Sequence, residues 1–141
     1  MRESRIVVGE CAIALHWAAR ALDSLRARLT QHRGGFFATE QHAKPYDDLE
    51  QVGPEMDALA EQLAVTLGRD HEAVVAFANA RTAVSDIVAT VGLLKEPQRH
   101  ELAHLQKFVD QTIARVQEQR ERFDASRDQF MAAARGAPPE N

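Results

Sequence analysis

The stretch Val8–Leu29, VGECAIALHWAARALDSLRARL, decides the fold. Val8, Cys11, Leu15, Ala18, Leu22, Leu25 and Leu29 recur at alternating intervals of three and four, the seam of a helix that lies against other helices. The far side is not plainly polar. Ile6, Ile13 and Trp17 form a second apolar strip there. A helix apolar on two sides is either central to a bundle or meets another chain as well. The stretch therefore predicts an all-α protein.

Working outward, 141 residues make about one domain, long enough to bury a core. Apolar residues at 45% and charged residues at 27% suit a globular chain, and the few aromatics (6%) leave alanine to bring helices close together. A net charge of −4, with both signs scattered, argues against a nucleic-acid surface. The single cysteine, Cys11, lies in the apolar seam and reads as a buried thiol. No uninterrupted apolar run approaches the roughly 18 residues of a membrane span, so no membrane partner is expected. The early Arg2, Glu3 and Arg5 do not resemble a signal peptide, so a cytoplasmic protein is expected.

The first helix is expected from Glu3 or Ser4 to about Arg33, with cations in its last turns and Gly34-Gly35 as its stop. Residues 34–53 read as an irregular loop, because Lys44-Pro45 interrupts helical continuation. Within it, Phe36 and Phe37 either fold back to plug the core or form an aromatic knob for a partner. Gly53-Pro54-Glu55 reads as a helix start, followed by the stripe Met56, Leu59, Leu63 and Leu67. Gly68 then either ends that helix, with Asp70 capping the next, or merely bends one long helix over 54–94. The third stripe is Val74, Phe77, Val84, Ile87, Val88 and Val91, with Arg81 at its edge. Pro97 opens the last helix, which looks unbroken to Arg135, about 58 Å at 1.5 Å per residue. Its apolar row Leu102, Val109, Val116, Phe123 and Phe130 is flanked by Leu105, Thr112, Gln119 and Ser126, a row that turns polar. Its second half is therefore expected to bind along a narrow seam or to project. The whole predicts one domain over 1–135, an antiparallel bundle of three long or four helices with an over-long, coiled-coil-like C-terminal helix. A disordered tail is expected over 136–141.

One segment suggests chemistry. His100-Glu101-Leu102-Ala103-His104 resembles the HExxH signature of zinc metallopeptidases. Two histidines four apart share a helix face and can share a metal, while the glutamate takes a proton from metal-bound water. The resemblance implies a third ligand further along, for which Glu118 and Glu121 are candidates. It covers only five residues, no strand accompanies it, and Pro97 and Gln106 depart from the family's pattern. Helix geometry also turns His100 and His104 away from Leu102, Leu105, Val109 and Val116. His32, His42, Asp47 and Asp48 gather near the loop without a recognised ligand spacing. The inward histidines of hemerythrin-like and DinB-like metal bundles are not met.

The leading expectation is therefore a non-enzymatic module acting through protein–protein contact and self-association, with Ile6, Ile13, Trp17, Phe36 and Phe37 as interaction residues and no cofactor. The alternatives are a zinc-dependent hydrolase with Glu101 as base and His100 and His104 as ligands, and a small-ligand-binding bundle with Phe36 and Phe37 as a lid.

Overall fold

The structure, a computed structural model, describes residues 2–95 and 102–136. These form four α-helices, α1 (Arg2–His32), α2 (Glu40–Leu67), α3 (Glu72–Gly92) and α4 (Leu102–Gly136), with short 3-10 turns at Arg33–Gly35 and Leu93–Lys95. Each helix packs on the next, and α4 closes against α1, leaving α1 and α3 across the diagonal. Ion pairs fix the directions. Arg33 reaches Asp110 and Arg120 reaches Asp23, so α4 runs against α1. Arg81 reaches Asp57 and Lys95 reaches Glu50, so α3 runs against α2. The fold is the expected all-α antiparallel bundle in its four-helix form, and α4, at 35 residues, is the longest helix.

The α1 seam is the spine of the core: Cys11, Leu15, Ala18, Leu22, Leu25 and Leu29 are each 2% exposed or less. On α3, Phe77, Val84, Ile87 and Val91 are fully buried, and Ala73, Ala76, Ala80 and Ala83 let neighbouring helices approach closely. The Glu72–Lys95 segment is long and apolar enough to cross a membrane by composition alone, with half of its most apolar window buried inside the bundle. That composition also follows from its place between α2 and α4.

The expected loop over 34–53 is mostly helix. α2 begins at Glu40, capped by Thr39, whose Oγ1 accepts from the His42 N–H at 3.2 Å. It continues through Pro45 and Pro54. A proline inside a helix costs about 3 kcal/mol and leaves the carbonyl four residues earlier without its donor. For Pro45 that carbonyl belongs to Gln41, and Arg28 of α1 donates to it at 3.3 Å. Burial supplies the rest: Tyr46, Leu49, Met56 and Leu63 all enter the core, at about 1.5–3 kcal/mol for each large apolar side chain. Tertiary packing thus carries a helix across residues that would stop an isolated one.

Gly68, at φ +96°, separates α2 from α3 and settles the question of one helix or two. The cap of α3 is His71, not Asp70: its Nδ1 accepts from the Ala73 N–H at 3.0 Å. At the end of α1 the left-handed residue is Arg33, at φ +48°, rather than either following glycine. The Arg33–Asp110 ion pair ties it to α4, and being largely exposed offsets only part of the about 1–2 kcal/mol that a left-handed residue costs.

The α4 row Val109, Val116, Phe123 and Phe130 is buried as its spacing predicts. The flanking row Thr112, Gln119 and Ser126 is buried too, at 4, 5 and 8% exposure, so the second half of α4 neither projects nor rests on a narrow seam. Small and hydrogen-bonding side chains fit here because α3 lies close. Gln119 Nε2 donates to Thr90 Oγ1 at 2.9 Å, and that hydroxyl donates to the Asp86 carbonyl at 2.8 Å. Its one proton being committed, Thr90 can only accept from Gln119. Gln119 Oε1 then has no donor among the described residues. Beside it, Arg120 joins three backbone or carboxylate acceptors: Asp23 at 2.7 Å, Asp124 at 2.9 Å and the Ala19 carbonyl at 3.4 Å.

Two substitutions separate these roles in equilibrium denaturation. Gln119→Leu removes one hydrogen bond and one unsatisfied acceptor together, and is expected to change stability by less than about 1 kcal/mol. Arg120→Ala is expected to cost about 1–2 kcal/mol, because its guanidinium is mostly shielded while its partner Asp23 stays solvated.

Candidate functional site

The candidate site lies on the side of α1 opposite the buried seam. Ile6, Ile13 and Trp17 are 57, 58 and 56% exposed, so the second apolar strip is not absorbed by the bundle. α2 runs beside it and contributes Val65, which is 85% exposed. Two open grooves follow the α1–α2 boundary. One, of about 620 Å³, is walled by Ile13, Ala14, Trp17, Ala21, Val52 and Leu59, and rimmed by Glu10, Arg20, Asp48 and Glu55. The other, of about 420 Å³, is formed by Ile6, Val7, Val65 and Thr66 beside Glu61 and Gln62. Trp17 is held in place by its neighbours: the His16 ring meets it edge-on at 6.0 Å and the Arg20 guanidinium lies 5.7 Å from its centroid. Gly9 sits in the same strip between Ile6 and Ile13, exposed and in ordinary helical backbone. Acidic groups outnumber basic ones along the rim.

Two features of this face escaped the sequence reading. Val65 is two residues from Leu63 and therefore on the other side of its helix, a signal legible in the expected stripe Met56, Leu59, Leu63 and Leu67 as an apolar residue left outside it. Gly9 leaves no mark in an apolar-spacing count, because it has no side chain to register.

The other expected interaction residues behave differently. Phe36 is fully buried, so it plugs the core and offers no surface to a partner. Phe37 is half-buried, meeting Phe36 edge-on at 4.8 Å and Tyr46 edge-on at 5.1 Å, with the Lys95 ammonium 4.4 Å from the Tyr46 centroid. This aromatic group closes one end of the bundle. Neither phenylalanine lines the grooves described above, so the lid reading finds no cavity in them to cover.

Of the histidine motif's own candidate ligands, only His104 can be placed. His100 and Glu101 lie outside the described residues, as does Pro97. His104 is exposed near the start of α4. Glu118 and Glu121 lie on the same unbroken helix, about 21 and 26 Å further along its axis at 1.5 Å per residue, beyond reach of a shared ion. Among the described residues, no group of three or more His, Cys, Asp or Glu side chains is placed to hold a metal. His32 and His42 do meet, as rings stacked at 3.6 Å and 11°. Asp48 instead joins the α1–α2 groove. Loss of solvation, then the His42 and Arg28 charges, lower the pKa of His32 below the ordinary histidine value.

Cys11 belongs to the core. Burial, with Glu10 adding to it, pushes its thiol up to about 12, so the nucleophilic thiolate is suppressed at neutral pH. Comparison with family models, with characterised proteins and with solved structures returns no match, so no relative lends the chain a function.

Two outcomes test this layout. Cys11 is expected to resist an aromatic disulfide reagent in the folded protein at neutral pH and to react at once in denaturant. His32 has a folded pKa below its unfolded one, so the unfolded chain binds the extra proton. Its contribution to stability is complete above the unfolded pKa of about 6.5 and is lost as pH falls from there through the lowered folded pKa. The thermal midpoint is expected to fall over that acid range, with a shallower fall in His32→Asn; equal slopes for the two proteins would refute the assignment.

Proposed function

We propose that this protein is a non-enzymatic helical module that works by protein–protein contact, self-associating through the outward face of α1. One observation carries the reading: three large apolar side chains, each more than half exposed, stand in line on the side of α1 away from its core. Scattered exposed apolar residues are normal on any protein, but a contiguous row along a grooved helix pair is the usual form of a helix-recognition surface. Trp17 suits the role of anchor, being large, amphipathic and restrained by the His16 ring and the Arg20 guanidinium. No reading as an enzyme has a comparable observation behind it. Among the described residues no third ligand lies within reach of His104, and burial keeps the one cysteine protonated in the core.

Trp17 is also the only tryptophan, which makes the test direct. The native chain is expected to sediment as a dimer at tens of micromolar, and its tryptophan emission is expected to shift to shorter wavelength with rising concentration. The double substitution Ile13→Ser, Trp17→Ser is expected to sediment as a monomer with unchanged helicity. A native chain that remains monomeric across that range, with emission independent of concentration, would overturn the self-association reading.

A further inference from the structure

We infer that the strip on α1 is occupied by α1 of a second copy, lying antiparallel to it about a two-fold axis at Ile13. The inference rests on the self-association proposed above and specifies its geometry. Its starting point is Gly9. Glycine is among the least favourable residues inside a helix, and a Cβ built at Gly9 meets no atom within 4 Å. Neither packing within the chain nor backbone conformation accounts for a residue without a side chain at this place. It lies as far before Ile13 as Trp17 lies after it.

A two-fold axis at Ile13 brings together residues equally distant on either side of it, the self-complementary arrangement of a symmetric dimer. The second copy's Trp17 then stands level with Gly9, so the largest side chain of the strip meets the one position that makes room for it. Glu10 stands level with the second copy's His16 and one turn from its Arg20. That Arg20 arrives level with Ile6, whose groove has Glu61 in its wall. The Arg20 of each copy is thereby placed near acidic groups of the other, Glu10 and Glu61. A parallel pairing would instead set Glu10 against Glu10, Arg20 against Arg20 and Trp17 against Trp17, a like-charge and overcrowded contact.

The test uses the full chain. Gly9→Leu favours the helix within one copy but fills the notch. It is expected to weaken association at least about tenfold while helicity and the melting of the dilute protein are kept or improved. Spin labels on Cys introduced at exposed Ser24, in a Cys11→Ala background, are expected to lie about 33 Å apart along the paired helices at 1.5 Å per residue. If Trp17→Ser abolishes association but Gly9→Leu does not, or if the labels lie within about 15 Å of each other, the antiparallel geometry is overturned and the self-association reading stands. If the native chain does not associate and its α1 face captures only an unrelated basic helical peptide, both are overturned.

Discussion

The bundle depends on the need to cover the α1 seam completely. Cys11, Leu15, Ala18, Leu22, Leu25 and Leu29 run along one side of a 31-residue helix, and no single partner helix can bury so long a row from both flanks. α2 takes one flank and α4 the other, while α3 completes the ring. The chain can meet this demand only if α2 is long. Burial along α2 therefore overrides two prolines, and the Gln41 carbonyl released by Pro45 is answered by Arg28 of α1 itself. The helix that needs the cover also helps to mend it.

The contact between α3 and α4 follows a different rule. Phe77, Phe123 and Phe130 provide apolar area, with Phe77 and Phe130 tilted at 5.7 Å, but beside them runs a buried polar row. The Gln119–Thr90 hydrogen bond adds little net stability, since each group gives up water to make it. Its effect is on register. A slip of α4 along α3 would strand Gln119 and Thr90 without each other in the interior, at a cost larger than the bond's own gain. Arg120, bridging Asp23 and the Ala19 carbonyl, fixes the level of α4 against α1 in the same way.

With the interior so determined, the surface opposite the α1 seam stands out as the part of the sequence that folding does not use. Nothing within the bundle requires Ile6, Ile13, Trp17 or the absence of a side chain at Gly9. Residues with no intramolecular task are where a function carried by contact would be written. The histidine segment has the opposite character: it looks like chemistry in sequence, yet His104 and the acids considered as its partners, Glu118 and Glu121, lie about four to five turns apart on one helix.

The sequence by itself determined the elements governed by spacing and by single residues. These are the all-α class, the α1 seam and the strip opposite it, the buried rows of α3 and α4, and the place of Cys11 in the core, because helical periodicity is a local property. Only the tertiary structure decided what depends on energy supplied from elsewhere. α2 begins at Glu40 rather than after Pro54 because packing outweighs the cost of its prolines. Arg33, rather than Gly34 or Gly35, takes the left-handed turn, a backbone choice that residue type alone does not announce. Gln119 is interior because Thr90 of α3 receives its amide, and Thr112 in the same row commits its hydroxyl to the Phe108 carbonyl of its own helix. Phe36, which spacing left open as core plug or aromatic knob, enters the core because the assembled bundle leaves a space at its end for it.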